Sequence, residues 1–174
     1  MLPDYFEFSL PTRVLYGIGI INQLNDAVAH YGPRRALLVT DAILVQAGLA
    51  ERVQAGFRQT AIEIVATFDQ VPPNSTIRTV EDCAALGREH GCDLIIGLGG
   101  GSVLDTAKVA NLLMVKGGRV QDHMGAYLLG PTPLLPLLLI PTTAGTGSEV
   151  TKVAVIADPD HDVKLPFAET QFLP

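Results

Sequence analysis

Tryptophan is absent from this 174-residue chain, and cysteine is scarce. The two cysteines, Cys83 and Cys92, form neither a metal-binding pattern nor a disulfide framework, which fits the reducing cytoplasm. Basic residues are also few: 12 Lys and Arg stand against 18 Asp and Glu, the formal charge is −6, and the basic residues are not clustered. A chain with this balance is not expected to bind nucleic acid.

Long apolar runs are missing as well. The longest, residues 134–140, is far too short to span a bilayer and contains Pro136. The N-terminal segment MLPDYFEFSL lacks the basic region of a signal peptide. With 48% hydrophobic and 17% charged residues, the chain is expected to form about one globular, cytoplasmic domain with no membrane partner.

A strand, a glycine turn and a helix are predicted in succession along residues 93–108, DLIIGLGGGSVLDTAK. The apolar run at residues 93–98 predicts a buried parallel strand. Gly99, Gly100 and Gly101 allow positive φ and a close ligand approach. Ser102 and Asp105 have capping-box spacing, so we predict that a helix begins here. Such a helix start favours phosphate binding, although a purely structural turn is the alternative.

Two common phosphate motifs do not describe this turn. The P-loop pattern GxxxxGK[ST] is absent, because Lys108 follows Ala107 inside the predicted helix. The usual dinucleotide fingerprint lies in the first βα unit and has an acidic residue about 20 residues downstream. In this chain the best acidic candidate, Asp41, lies upstream of the turn.

Strands and helices are predicted to alternate along the chain. Apolar strands are expected at residues 36–40, 62–68, 93–98 and 137–140, with helices at 20–30, 44–59 (interrupted by Gly48) and 75–90 (capped by Ser75). Hairpins are expected at residues 5–16 and 153–166. This alternation predicts an α/β fold: a Rossmann-like, doubly wound, mostly parallel sheet with helices on both faces, plus a β-hairpin.

Three candidate groups follow the carboxyl ends of predicted strands, where ligands bind in such folds. They are Asp41, the glycine triplet, and Thr142 with Thr143. An Asp at the end of a strand can accept hydrogen bonds from ribose hydroxyls and would repel a 2′-phosphate, which favours NAD over NADP. The alternative is that Asp41 only caps the next helix.

A second glycine loop is predicted at residues 141–149, PTTAGTGSE. Its hydroxyls, from Thr142, Thr143, Thr146 and Ser148, suit a polyol, an amide or a phosphate, but they could also satisfy the backbone of the loop itself. Asn74 is by default a turn or cap residue. Lys164 could reach a phosphate or hydroxyl, or could be a solvated side chain.

No metal ligands are predicted in this chain. None of the four histidines has another ligand at helical i, i+4 spacing. Asp158, Asp160, His161 and Asp162 cluster in the sequence, but the polar tip of a hairpin explains them more simply.

Three motifs of this chain are similar to those of a known enzyme family. GGGSVLDTAK (residues 99–108), PTTAGTGSEVT (141–151) and the PNST loop (73–76) resemble the iron-activated, group III, alcohol dehydrogenases over essentially the whole chain. The resemblance implies an NAD(P)-dependent dehydrogenase of small alcohols and aldehydes. It also implies cofactor contacts: Asp41 with the adenosine ribose, Asn74 beside the cofactor, Gly99, Gly100, Gly101, Ser102 and Asp105 around the pyrophosphate, Thr142, Thr143, Thr146 and Thr151 on the adenine and ribose side, and Lys164 at a ribose.

Members of that family carry a second, all-helical domain that supplies the metal ligands. Residues 1–174 are therefore expected to be the dinucleotide-binding domain alone, with Fe²⁺ or Zn²⁺ bound only where the helical domain is present. Without that domain an exposed apolar face would favour a homo-oligomer. A stand-alone nucleotide-binding module and a relative of the glycerol or hydroxyacid dehydrogenases are the alternatives, and NADP stays open as a cofactor.

Overall fold

The computed structural model describes residues 11–174, and its centre is a parallel sheet. The order of its four strands is β2-β1-β3-β5. Their bounds are Arg35–Val39 (β1), Glu63–Phe68 (β2), Leu94–Gly99 (β3) and Leu137–Pro141 (β5). Every residue of β3 is buried, as expected of an inner strand whose sequence is a continuous apolar run.

Helices cover both faces of this sheet, so the predicted doubly wound fold is confirmed. Their bounds are Leu24–Val28 (α1), Ala42–Gln46 (α2), Leu49–Ala55 (α3), Ile77–Glu89 (α4) and Gly101–Lys116 (α5). Leu37 and Val39 of β1 pack with α4 and α5, whereas Ala36 and Leu38 pack with α1 and α3. This alternation is the period-2 pattern of a strand buried on both sides.

The crossovers reverse direction between β1 and β3. The chain leaves β1 through α2 and α3 to reach β2, and it returns through α4, on the opposite face, to reach β3. The switch point of the fold therefore lies between the carboxyl ends of β1 and β3, where ligands of open α/β sheets bind. Thr40 links these ends, since its hydroxyl donates to the carbonyl of Leu98 at 2.9 Å.

A second, smaller sheet contains the predicted C-terminal hairpin, which is confirmed. Strands β6 (Val153–Asp158) and β7 (Val163–Ala168) are antiparallel, and the short β4 (Gly125–Ala126) pairs with β7 in parallel. Ala154, Ile156 and Phe167 are buried in the same core as α4 and α5. The hairpin thus packs onto the face of the main sheet that carries α5.

Some local predictions need correction. The helix predicted from Ser75 is capped instead by Thr76, because the Ser75 hydroxyl is buried and accepts a 2.6 Å hydrogen bond from Thr106. The segment 13–16 is exposed and is not in a strand, so the N-terminal hairpin is not found there, while its first arm, residues 5–10, lies outside the described residues. The helix predicted at 20–30 is a short α1 between two 3₁₀ turns.

The break predicted at Gly48 is confirmed. This residue separates α2 from α3 and adopts φ of 74°, a left-handed conformation that favours glycine.

Within residues 11–174, no helix is long and apolar enough to cross a membrane.

Asn111 tests how far the fold depends on polar contacts of α5. Its amide is fully buried, donates to the carbonyl of Leu135 at 2.9 Å and accepts from the Leu135 N–H at 3.0 Å. Asn111→Leu should lower the free energy of unfolding by about 2–4 kcal/mol, because two backbone groups lose their partner. Chemical denaturation would measure this. The control is Gln54→Leu on the exposed side of α3, which should change the free energy of unfolding by less than about 0.5 kcal/mol. Equal effects of the two changes would contradict a stabilising role of the Asn111 hydrogen bonds.

Candidate functional site

The first glycine turn joins β3 to α5 at the switch point. Gly99 ends the strand, Gly100 is the N-cap position, and the helix begins at Gly101. Within the described part of the chain, no side chain caps this helix, so first-turn N–H groups remain available to a ligand. The positive end of the helix dipole lies at the same place, which favours an anion.

Two expectations about this turn are wrong. Ser102 and Asp105 do not form a capping box: the Ser102 hydroxyl accepts from the Asn74 N–H at 3.1 Å, and Asp105 points to another segment. The glycines do not adopt positive φ either; Gly100, for example, has φ of −81°. Close packing requires glycine at position 99, because a Cβ there would lie 2.6 Å from the Cβ of Val103.

The second glycine loop lies directly over the first turn. The Thr142 N–H donates to the carbonyl of Gly99 at 3.0 Å. A Cβ on Gly100 would lie 3.0 Å from the Thr143 hydroxyl, and one on Gly101 would lie 3.5 Å from the Cβ of Thr146. Two loops that are more than 40 residues apart in sequence are thus brought together, with their hydroxyls and free N–H groups in one place.

The second loop also satisfies part of its own backbone. Thr146 donates to the Glu149 carboxylate at 3.2 Å and accepts a long 3.4 Å hydrogen bond from the Ser148 N–H. Gly145 and Gly147 have φ of 95° and 69°, so this tight path needs glycine at both positions. Thr151, at the end of the loop, is exposed, and its methyl group lies near Gly147.

Asp105 ties α5 to the second loop. Its half-buried carboxylate accepts from the Ser148 hydroxyl at 2.6 Å and from the Val155 N–H at 2.9 Å. Burial raises the pKa of the carboxyl, and these two hydrogen bonds partly oppose that rise. Both carboxylate oxygens are therefore engaged by the protein, and the side chain positions the loop.

Lys108 lies one turn further along α5 and was not singled out from the sequence. Its side chain is fully buried, and its ammonium donates to the carbonyls of Thr151 at 2.8 Å and Val153 at 3.0 Å. Burial lowers the pKa of Lys108 to about 8, and the carboxylates of Asp105 and Glu149 act against this shift. The only signal in the sequence is a lysine within the apolar segment VLDTAKVANLLM.

A small cavity of about 210 Å³ opens beside the first turn. It brings together five of the predicted site residues, namely Asn74, Gly101, Ser102, Asp105 and Lys164. Lys164 belongs to β7 and reaches this place because the hairpin packs against α5. Asn74 has φ of 56°, a left-handed conformation that Asn tolerates better than most residues.

Asp41 lies on the other side of the switch point, two residues after the end of β1. Its carboxylate accepts from the Leu44 N–H at 2.9 Å and so caps α2, as the alternative interpretation expected. This capping role leaves room for a second one, because a carboxylate has two oxygens and about four acceptor positions. Asp41 is half-buried at the edge where β1 and β3 end.

A larger cavity of about 850 Å³ lies elsewhere, beside β5 and α1. Apolar side chains such as Leu24, Leu137 and Ile140 line much of it, and none of the predicted site residues does. Among residues 11–174, no three His, Cys, Asp or Glu side chains come close enough to hold a metal. His161 pairs with Asp158 at 2.8 Å at the tip of the β6–β7 hairpin.

Comparisons with known proteins agree on one family. The model of the iron-containing alcohol dehydrogenases matches residues 11–174. The NAD-dependent methanol dehydrogenase of Bacillus methanolicus is 35% identical over 168 residues, which are 97% of this chain and 44% of that protein. The choline dehydrogenase of Bacillus subtilis (strain 168) is 40% identical over 167 residues, covering 94% and 41% respectively.

Solved structures show the same partial coverage. The sulfoacetaldehyde reductase of Bifidobacterium kashiwanohense, in complex with NAD⁺, superposes with a TM-score of 0.86 at 27% identity, over 99% of this chain and 45% of that one. A 1,3-propanediol oxidoreductase gives a TM-score of 0.90 at 32% identity, over 98% and 44%. The chain spans less than half the length of these proteins. With its two glycine loops and its sheet, it belongs to the iron-containing alcohol dehydrogenase family.

Proposed function

We propose that residues 1–174 are the dinucleotide-binding domain of an alcohol dehydrogenase and that the first glycine turn binds the diphosphate of NAD. The observation that carries this proposal is the uncapped start of α5 at the switch point of the sheet. The N–H groups of Gly101 and Ser102 lack partners within the helix, and the helix dipole favours negative charge there. Two relatives support the choice of cofactor, since one is named NAD-dependent and another was solved with NAD⁺.

The two glycine loops divide the cofactor between them in this proposal. The main chain of Gly99, Gly100 and Gly101 contacts the diphosphate, with the Ser102 hydroxyl beside it. The second loop supplies the hydroxyls for the adenine and ribose side: Thr142, Thr143, Thr146 and Thr151. Support comes from the short distances that join Thr142 and Thr143 to the first turn.

Three further side chains complete the proposed site. Asp41 accepts hydrogen bonds from the hydroxyls of the adenosine ribose, and its charge disfavours the 2′-phosphate of NADP. Asn74 lies beside the cofactor, and Lys164 approaches a ribose from β7. Asp105 acts indirectly: its two oxygens accept hydrogen bonds from Ser148 and Val155, so it positions the second loop and does not contact the cofactor.

Bound NAD supplies the hydride acceptor when an alcohol is oxidised to an aldehyde or ketone. The residues of this chain bind and orient the dinucleotide. Iron or zinc does not fit residues 11–174, which offer no cluster of three metal ligands. In this proposal Fe²⁺ or Zn²⁺ binds where a second, helical domain supplies the ligands.

The substrate class proposed is a small alcohol or aldehyde, which accords with the relatives named for methanol and choline.

We place the protein in the cytoplasm, where its two buried free thiols, Cys83 and Cys92, would stay reduced. Self-association is also proposed, because half-buried leucines of β5 line the large apolar cavity.

A second candidate is a nucleotide-binding module without catalysis. It is favoured by the lack of a metal-ligand cluster within residues 11–174. Titration with NADH, followed by fluorescence, and an aldehyde-reduction assay with and without Fe²⁺ or Zn²⁺ separate the two candidates. Saturable binding without turnover supports the module, whereas any turnover supports the dehydrogenase. Turnover without added metal would contradict the proposal that the metal belongs to a helical domain. The glycerol and hydroxyacid dehydrogenase relatives are distinguished by the substrate that is turned over.

Gly100→Val tests the diphosphate site. The added side chain would crowd both the ligand and the Thr143 hydroxyl, which lies only 3.0 Å from a Cβ at this position. We expect the Kd of NADH to rise at least about a hundredfold, or about 2.7 kcal/mol. The control is Gly17→Val, at an exposed position where a Cβ meets no atom within 4 Å. Unchanged NADH affinity in a variant with a native circular dichroism spectrum would refute the site.

Asp41 tests the choice between NAD and NADP. Asp41→Gly removes the charge near the proposed 2′ position, and Asp41→Asn does so while keeping a side chain that can cap α2. Both changes should improve the affinity for NADPH relative to NADH by about tenfold, which corresponds to about 1.4 kcal/mol. Isothermal titration with each cofactor gives the ratio. Asp26→Asn, an exposed change on α1, should leave it as in the wild type; an unchanged ratio in both Asp41 variants would exclude the ribose role.

A further inference from the structure

Lys108 is a buried charge that ligand contact does not explain. Its side chain has no exposed surface, so it cannot touch a dinucleotide or a substrate directly. Burying an ammonium is costly, and packing alone would be served better by an apolar side chain at this position of α5. The ammonium instead holds two main-chain carbonyls, those of Thr151 and Val153.

These two carbonyls lie where the second glycine loop ends and β6 begins. The start of that loop is held by the hydrogen bond from Thr142 to Gly99, and its middle is held by the hydrogen bond from Ser148 to Asp105. Lys108 therefore provides the third attachment, at the C-terminal end of the loop. All three attachments lead to β3 or to α5, the two elements that form the first glycine turn.

We propose that Lys108 is a positioning residue, which fixes the second glycine loop over the first glycine turn by holding the carbonyls of Thr151 and Val153. This inference rests on the proposed nucleotide site, because the two loops need a fixed arrangement only if they bind a cofactor together. Lys108 acts through the loop: it keeps Thr142, Thr143 and Thr146 where they meet the turn. Because the loop is already ordered before the cofactor binds, no binding energy of the cofactor is lost in ordering it.

The test compares Lys108→Met with Lys116→Met in the full chain. Methionine keeps an unbranched side chain of similar length but removes the donor, and Lys116 is an exposed lysine in the last turn of the same helix. Two quantities are measured: the Kd of NADH and the hydrogen-exchange rate of amides in residues 142–151. For Lys108→Met we expect a Kd about tenfold higher and loop exchange at least about tenfold faster, since two carbonyls lose their donor.

The distribution of the exchange effect separates positioning from general stability. A merely structural role would accelerate exchange in β1 and β3 by the same factor as in the loop, whereas a positioning role accelerates the loop more. Lys116→Met should match the wild type in both measurements. If Lys108→Met does not fold, Lys108→Gln, whose shorter side chain cannot keep both contacts, is compared in its place.

The outcomes for the two proposals are distinct. If the wild type does not bind NADH, the proposed function fails, while loop exchange still decides whether Lys108 holds the loop. If the wild type binds NADH and the Lys108 variant has the same Kd and the same loop exchange, the positioning role is overturned. A rise in exchange that is uniform over the loop, β1 and β3 overturns it as well.

Discussion

The architecture of the site depends on the hydrogen bonds that polar side chains of α5 make beneath the surface of the protein. Buried polar groups need partners, so each of these side chains fixes the segment that supplies its partner. Four side chains of this helix make such contacts with other segments: Asp105 with Ser148 and Val155, Thr106 with Ser75, Lys108 with Thr151 and Val153, and Asn111 with Leu135. The helix that begins at the first glycine turn thereby also sets the position of the loops around it.

The apolar core has a different role. Leu37, Val39 and Ile95 on one face of the sheet, and Leu38 and Ile96 on the other, make a rigid two-sided frame. Burial of this kind is non-directional, so it brings helices onto the sheet without specifying the path of a loop. Loops gain a defined path from hydrogen bonds, whose geometry is directional. The site thus combines an apolar frame with polar attachments, and most of these attachments start at α5.

Several features could be predicted because they depend on residues close together in sequence. The apolar run of β3 and the alternation of strands with helices predicted the parallel sheet, and the break at Gly48 followed from one residue. The two glycine loops were predicted at the positions where the structure has them. Asp41 was correctly placed at the end of a strand, and the structure adds that it caps α2.

Other features depended on partners that are remote in sequence. A Ser and an Asp at capping spacing have the same local pattern whether they bond the helix N-terminus or another segment; here Ser102 bonds Asn74 and Asp105 bonds Ser148. Ser75 lost its capping role to Thr76 because its hydroxyl is bonded to Thr106. Lys108 is buried because its ammonium finds two acceptors in β6 and at the end of the second loop, and both are remote in sequence.

The alternation of strands with helices in the main sheet, the family motifs and the two glycine loops were determined by the sequence alone, since apolar periodicity and glycine act over a few residues. Tertiary structure decided which polar side chains face each other across the site and which of them are buried. The reason is physical: the partner of a hydrogen bond, and the solvent it excludes, are set by the packing of distant segments, on which local sequence carries no information.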